Sequence, residues 1–217
     1  MTALWALLLL PLLLLLLGYI LSRRMTDRHR PDEVRSPAEC GLEYEEVSFP
    51  ASDGVTLRGW WVPSPGAERA LILLHGQAGS MDPDVQYLPA LHAAGFHVLQ
   101  FDFRAHGRSA GRLSTIGYLE IQDVLGAVAF VRDKGVYRVG LLGFSMGARV
   151  AILAAPLLAE VRAVVADGGP PRMLPAIAAR MREMGLPRGL GWPLAWLTLA
   201  VTSLRVRANL FRWEPLR

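Results

Sequence analysis

The sequence predicts an α/β fold, in which helices cover both faces of a mostly parallel sheet. Short apolar runs alternate along the chain with segments of helical character, and this alternation is typical of parallel sheets. A second observation is the uncharged segment 3–21, whose length is sufficient to cross a bilayer. We therefore expect one domain of about 175 residues, preceded by an N-terminal transmembrane helix.

Six runs are predicted as strands from their apolar or alternating character, namely 43–49, 56–62, 70–74, 98–101, 139–142 and 161–166. Two helices are predicted over 85–94 and 116–132, because Gly95 and Gly135 follow them as stop signals. The sixth strand has no predicted partner after it. We expect it to form an unpaired sheet edge that exposes apolar surface.

The most informative motif is Gly-Phe-Ser-Met-Gly at residues 143–147, with Ser145 at its centre. It follows the fifth predicted strand, and the alanine- and leucine-rich segment 148–155 after it favours a helix. A serine between glycines at a strand-to-helix turn is typical of a nucleophile elbow, where the turn is too tight for flanking side chains. The sequence therefore indicates a serine nucleophile.

Two further motifs accompany the elbow: His-Gly-x-x-Gly at 75–79 and Asp-x-Arg-x-His-Gly-x-Ser at 102–109. In this order and spacing, the three motifs resemble the α/β-hydrolase superfamily. The resemblance covers about residues 43–217 and implies acyl transfer to water from an ester, thioester or amide. Within that range it implies a hydrolase core (43–169) and a cap or lid (170–217). The uncharged N-terminal run predicts an anchor (1–24), and the prolines and scattered charges after it predict a linker (25–42).

The resemblance also implies roles for individual residues. Gln77 and Met146 would supply the two backbone N–H groups of the oxyanion hole. His75 and His106 would shape their loops rather than act as the general base. Asp167, at the end of the sixth strand, is a possible triad acid, although an aspartate that caps the Asp-Gly turn is the simpler interpretation.

A catalytic base is missing from the expected position. In this superfamily the triad follows the order Ser, acid, His. All five histidines precede Ser145, and the acids after it are Glu160, Asp167, Glu183 and Glu214. We therefore expect a chain that is incomplete at its C-terminus and is inactive or weak by itself. The alternative is a non-catalytic relative, which keeps the elbow and binds rather than cleaves.

Composition excludes several other classes of protein. The single cysteine, Cys40, excludes an internal disulfide, and neither a metal-ligand spacing nor a phosphate-binding glycine loop occurs. We expect no metal and no cofactor. The basic pI of about 9.7 suggests nucleic acid, but no recognition module accompanies it. The expected partners are a small acyl or lipid-like substrate and a membrane.

The N-terminal segment favours a retained anchor over a signal peptide, since no cation precedes it and no small-residue cleavage site follows. Four arginines at positions 23, 24, 28 and 30 place the catalytic domain in the cytoplasm by the positive-inside rule. Within the cap, the uncharged segment 190–204 contains Trp192 and Trp196. It predicts either a lid helix over the serine or an interfacial helix at a membrane surface.

Overall fold

A computed structural model describes residues 2–29 and 35–212 of the 217-residue chain. Its strands are, in chain order, β1 (Glu45–Pro50), β2 (Thr56–Val62), β3 (Ala70–Leu74), β4 (His97–Asp102), β5 (Val139–Phe144) and β6 (Val161–Asp167). Its α-helices are α1 (Thr2–Thr26), α2 (Leu88–Ala93), α3 (Glu120–Asp133), α4 (Met146–Ala154), α5 (Met173–Glu183) and α6 (Arg188–Val206). Short 3-10 helices span Pro37–Cys40, Asp82–Tyr87 and Ala155–Leu157.

The six strands form one sheet in the order β1-β2-β4-β3-β5-β6. The pairs β1–β2 and β2–β4 are antiparallel, whereas β4–β3, β3–β5 and β5–β6 are parallel. This arrangement confirms the predicted α/β class with a mostly parallel sheet. The predicted strand 43–49 begins two residues later than expected, and the fifth and sixth strands run slightly further toward their carboxyl ends.

The centre of the sheet is apolar on both faces. On one face, Ile72, Leu99 and Leu141 are at most 1% exposed. On the other face, Leu73 and Val98 are likewise at most 1% exposed. Strands that are covered on both faces have continuous apolar sequences rather than alternating ones, which explains the apolar runs seen at 70–74 and 98–101. The carboxyl ends of β3 and β5 lie side by side in this core, since Leu74 pairs with Gly143.

The helix ends follow the glycine signals. Gly95 and Gly135 adopt φ of +77° and +87°, and their N–H groups donate to the carbonyls of His92 and Arg132. These bonds satisfy carbonyls that the last turn of a helix leaves open. The predicted helix 85–94 is only partly α-helical, because its first half is a 3-10 turn, and α3 begins at Glu120 rather than at residue 116.

The chain divides into two compact units, and the division differs from the one that the sequence predicts. The terminal unit combines Met1–Thr26 with Pro170–Arg217, so that the predicted anchor and cap belong together. The central unit is Asp27–Gly169 and holds the whole sheet. Glu214 and the other residues of 213–217 lie outside the described residues, as do residues 30–34 of the predicted linker.

The predicted linker 25–42 is partly bound to the central unit. Asp27 forms a β-bridge with Leu113, and His29 forms one with His106. Between them, the Arg28 guanidinium donates to the carbonyl oxygens of Gly107 and Gly111, each at 3.1 Å. We call residues 27–29 the strap, because they hold the loop after β4 along its length.

In the terminal unit, α1 packs against α6. Arg205 donates to the hydroxyl oxygens of Ser22 (3.2 Å) and Thr26 (2.6 Å), and its guanidinium lies 5.4 Å from the Tyr19 ring centre. Gly18 allows close approach, since a side chain there would meet Leu197. No helix in the described ranges 2–29 and 35–212 is long and apolar enough to cross a membrane, so the predicted transmembrane helix is not found.

Strand β6 forms one edge of the sheet and pairs only with β5. Val164 and Val165 are 36% and 55% exposed, and the nearby Ile152 and Leu157 are also exposed. These exposures confirm the prediction that the sixth strand is an apolar edge. An edge of this kind presents unpaired backbone N–H and C=O groups together with apolar side chains.

Candidate functional site

Ser145 lies at the turn between β5 and α4, with its side chain exposed. Its backbone has φ of 51° and ψ of −109°, a conformation that is costly for any residue with a Cβ. The N–H of Ser145 donates to the Asp167 carbonyl at 2.7 Å, and the Arg149 N–H donates back to the Ser145 carbonyl at 3.2 Å. These bonds fix the strained residue between the end of β6 and the first turn of α4.

Glycines make this turn possible. A Cβ on Gly147 would collide with the carbonyl groups of Leu74 and His75, and a Cβ on Gly143 would collide with the backbone of Gly147. The first turn of α4 can therefore lie directly against the end of β3. The predicted strand–serine–helix elbow is present with the geometry that its sequence implies.

The loop after β3 lies beside the serine. A Cβ built on Gly76 would be 3.5 Å from the Ser145 Cβ, and the Gly79 N–H closes a turn onto the Gly76 carbonyl. Gln77 and Ala78 are the central residues of that turn, and Ala78 has a left-handed φ of 58°. Met146, the first residue of α4, contributes an N–H at a helix N-terminus. Of the two predicted oxyanion residues, Met146 directly follows Ser145 in the sequence, and Gln77 directly follows Gly76, which lies beside Ser145.

His75 is buried, with both ring nitrogens engaged. Its Nε2 accepts a hydrogen bond from the Phe103 N–H at 3.0 Å, and its Nδ1 therefore carries the proton and donates to the Gly76 carbonyl at 2.7 Å. Burial lowers the pKa of His75 to about 4. The ring connects the loop after β3 with the loop after β4, which is the loop-shaping geometry that the sequence analysis expects of it.

His106 is completely buried and packs edge-on against His75, with ring centres 5.1 Å apart. Its Nδ1 donates to the Arg104 carbonyl at 2.8 Å, and the His29 ring of the strap stacks on its other side. Burial, with a smaller contribution from the neighbouring His75, lowers the pKa of His106 to about 4. His106 therefore holds the loop after β4, again in agreement with its expected role.

The remaining histidines are bonded to backbone groups near the amino ends of the strands. His92 Nε2 pairs with the Pro63 carbonyl, and His97 accepts from the Ser64 N–H while its Nε2 pairs with the Ala67 carbonyl.

Asp167, the possible triad acid, contacts the elbow through its backbone carbonyl, and its side chain is exposed. Gly168 follows with φ of 69°, as an Asp-Gly turn requires.

The buried charged residues that hold the loops after β3 and β4 were not predicted from the sequence. Asp102, at the end of β4, accepts from the N–H groups of Met81 (2.9 Å) and Arg108 (2.8 Å), although burial raises its pKa. The Arg108 guanidinium in turn donates to both carboxylate oxygens of Asp82. The signals in the sequence that could have indicated this network are the aspartate directly after an apolar strand and the motif at 102–109 that begins with it.

Glu120 is a second such residue, at the start of α3. Its carboxylate accepts from the Ser114 hydroxyl, from both the N–H and the hydroxyl of Thr115, and from the Gly117 N–H, at 2.6–2.9 Å. Ser114 also contacts the sulfur of Met146 at 3.9 Å. This carboxylate therefore fixes the segment that packs against the residue after the serine.

A metal centre is not indicated by the described part of the chain, where no three His, Cys, Asp or Glu side chains cluster as ligands. The chemistry available at Ser145 is that of an exposed hydroxyl next to backbone N–H donors. Such an arrangement can stabilise negative charge on an oxygen bound to the serine, because the donors are fixed in place before the reaction.

Comparisons with known proteins agree with this geometry. A family model described as the alpha/beta hydrolase fold matches residues 69–201. Among solved structures, the esterase Pf2001 of Pyrococcus furiosus superposes with a TM-score of 0.65 and 33% identity, covering 79% of this chain and 68% of that one.

Curated relatives are longer than this chain. The uncharacterized protein YfhR of Escherichia coli O157:H7 is 34% identical over 134 residues, which are 57% of this chain and 46% of that protein. Thiohydrolase aneE of Aspergillus aculeatus is 31% identical over 150 residues, 66% of this chain and 45% of that protein. The chain thus spans less than half the length of these two relatives.

Proposed function

The chain belongs to the alpha/beta hydrolase fold family, and we propose that it acts as a serine hydrolase through an acyl-enzyme on Ser145. The observation that carries this proposal is the strained, exposed serine between β5 and α4, held by backbone bonds at both sides. Strained backbone at a solvent-facing side chain is typical of functional sites. The substrate would be an ester, a thioester or an amide with an acyl or lipid-like group.

The proposed chemistry begins with attack of the Ser145 Oγ on the substrate carbonyl. The carbonyl oxygen becomes an oxyanion, and the N–H groups of Gln77 and Met146 would donate to it. The proton lost by the serine hydroxyl passes through solvent water to the leaving group, so that collapse of this intermediate breaks the acyl bond, expels the alcohol, thiol or amine and leaves the acyl group on Ser145. Water then attacks the acyl-enzyme in the same way and releases the acid.

Names of similar proteins support the ester and thioester alternatives. The Pyrococcus protein is described as an esterase, and the Aspergillus protein as a thiohydrolase. Both reactions use the acyl-transfer chemistry written above. Esters and thioesters are therefore the first substrates to test, since their leaving groups depart more readily than an amine.

The test of the nucleophile uses a fluorophosphonate probe, because the elbow geometry and the oxyanion donors favour phosphonylation of Ser145. We expect labelling of the full chain at Ser145, identified by peptide mapping, and loss of labelling in Ser145→Ala. The matched control is Ser109→Ala, because the Ser109 hydroxyl is buried and donates to the Asp102 carbonyl. Labelling that persists in Ser145→Ala would assign the nucleophile to another residue and disprove the proposal.

A binding protein without catalysis is the second candidate, and the histidines favour it. His75 and His106 are buried, bonded to the backbone and low in pKa, and His92 and His97 are bonded at other loops. A serine without a positioned base is a poor nucleophile. Binding of a substrate analogue with no labelling and no turnover would support this candidate.

We also propose that α1 attaches the chain to the cytoplasmic side of a membrane. The leucines at position 9 and at positions 12–17 are 38–64% exposed, so that this part of α1 presents an apolar surface to solvent. Arg23 and Arg24 follow at the end of the helix and would meet anionic headgroups. A contiguous exposed apolar face of this kind is typical of a membrane or protein contact.

Cell fractionation and a reporter fusion test the attachment. The chain should sediment with membranes, and Leu12→Glu combined with Leu16→Glu should release it, whereas the same substitutions at Tyr137 and Met184 should not. An alkaline phosphatase fused after Arg217 should be inactive. An active fusion would show that the chain lies on the opposite side of the membrane, and a chain that stays in the soluble fraction would disprove the membrane proposal.

A further inference from the structure

A groove in the terminal unit has the composition of a ligand site. Its volume is about 250 Å³, and seven residues line it: Arg172, Leu174, Pro175, Trp192, Leu199, Leu210 and Phe211. Six of the seven are apolar, and two of these are aromatic. Small-molecule sites commonly combine an apolar lining with a few polar groups that fix the orientation of the ligand.

Three parts of the terminal unit contribute to the groove. Leu174 and Pro175 come from α5, Trp192 and Leu199 come from α6, and Phe211 follows α6. Leu199 is fully buried, whereas the Trp192 ring is 46% exposed, so the groove combines a packed apolar residue with a solvent-facing aromatic one. The apolar ring of an exposed tryptophan stays in contact with water, which is unfavourable, unless a ligand covers it.

The charge of the terminal unit is strongly one-sided. Residues 1–26 and 170–217, which make up this unit, contain ten arginines and two acids, Glu183 and Glu214. Glu183 pairs with Arg180 at 3.0 Å. Among the described residues, exposed Arg172 is the charged side chain that lines the groove. A ligand with negative charge would therefore be attracted to this unit and would find a cation at the groove itself.

We propose that the groove binds a single-chain amphiphile with a carboxylate headgroup. The alkyl chain lies against the leucines and the aromatic rings, and the carboxylate pairs with the Arg172 guanidinium, whose planar fork suits that group. The volume accommodates roughly eight methylene-sized groups at about 30 Å³ each. Such a carboxylate is also the acid product of the proposed hydrolysis, but binding here does not depend on Ser145.

The experiment uses photoreactive probes on the full-length Ser145→Ala chain, held in an amphipathic polymer so that no detergent competes. One probe is an eight-carbon alkyl diazirine with a carboxylate, and the second has the same chain with a trimethylammonium group. We expect the carboxylate probe to label peptides containing groove residues, and unlabelled octanoate to suppress that labelling. The cationic probe should label the groove at least about threefold less.

Two pairs of variants separate the groove from other apolar surfaces. Arg172→Gln should reduce labelling of the groove by about three- to tenfold, and its matched control Arg180→Gln should not. Leu174→Trp fills the groove and should abolish labelling, whereas Leu204→Trp adds the same ring at a position that is 79% exposed and outside the groove.

Three outcomes would overturn the proposal. Equal labelling by the two probes would remove the role of charge, and equal loss in Arg172→Gln and Arg180→Gln would remove the role of Arg172. Labelling confined to α1, unaffected by Leu174→Trp, would show that the amphiphile binds the exposed leucines of that helix instead. Fluorophosphonate labelling of Ser145 in the unmodified chain is unaffected by any of these results, so the two proposals fail separately.

Discussion

At the residue scale, Gly147 determines how closely α4 approaches the end of β3. Its missing side chain lets the carbonyl groups of Leu74 and His75 pack against the first turn of the helix. Gly135 has a different role, since it has φ of 87° and open space around it. The two glycines therefore separate the effect of a steric collision from the effect of backbone strain.

We predict that Gly147→Ala lowers the free energy of unfolding by more than about 3 kcal/mol, because the new methyl group meets backbone atoms that cannot rotate away. Gly135→Ala should cost only about 1–2 kcal/mol, the strain of a left-handed alanine. Urea denaturation of both variants measures the difference. Similar losses in the two variants would contradict the close packing of α4 on β3.

A second prediction at this scale concerns acid stability. Burial lowers the pKa of His75 to about 4, whereas an exposed histidine has a pKa of 6.5. Between these pH values the unfolded chain binds a proton that the folded chain does not. The free energy of unfolding therefore decreases as the pH falls from 6.5 to 4, by about 3 kcal/mol for this one residue.

His75→Asn provides the comparison, because an asparagine amide lies where Nδ1 does, can donate to the Gly76 carbonyl and does not take up a proton. The variant should show a shallower decrease in unfolding free energy between pH 6.5 and pH 4, whatever its stability at neutral pH. Parallel curves for the two proteins would show that His75 is not the residue that takes up the proton.

At the element scale, the exposed strand β6 has the greatest consequence for behaviour in solution. Val165 is 55% exposed on an edge whose backbone groups have no further strand beside them in the described part of the chain. Apolar edges readily pair with other chains. We predict that Val165→Lys reduces concentration-dependent association, while the free energy of unfolding changes by less than about 0.5 kcal/mol.

Light scattering across a concentration series measures this association. Tyr137→Lys is the matched control, since Tyr137 is 61% exposed and lies outside β6. Equal effects of the two lysines would attribute the association to net charge rather than to the strand edge.

The elements also show how far sequence patterns extend. The strands and their order along the chain follow from apolar runs, and the glycines after α2 and α3 mark where these helices end. Helix α5 was not predicted, although Met173, Ile177 and Met181 recur in it at helical spacing and are buried. The 3-10 turn before α2 was predicted only in part, as the start of the helix 85–94. The buried carboxylate of Glu120 was missed because its four donors come from residues 114–117, whose fold the sequence alone does not specify.

At the scale of the whole molecule, the histidines at positions 75, 92, 97 and 106 are bonded to backbone groups, which leaves the proposed nucleophile Ser145 without an evident base among the described residues. We predict that ester turnover by purified residues 1–217 is at least about a hundredfold below that of a complete homologue, the lower limit of what general-base catalysis contributes. Hydrolysis of a chromogenic short-chain ester measures the rate. Turnover at ordinary hydrolase rates that is lost in His106→Ala would assign the base to the loop after β4.

The terminal unit draws its helices from opposite ends of the sequence, and this has a consequence for synthesis on the ribosome. Helix α1 emerges first, but its partner α6 is translated only after all of Asp27–Gly169. Until then the side of α1 that packs against α6, which includes Gly18 and Tyr19, has no intramolecular cover, and a chaperone or a lipid surface would have to protect it. Because closing so long a loop is entropically costly, prior folding of the central unit should speed the pairing of α1 with α6.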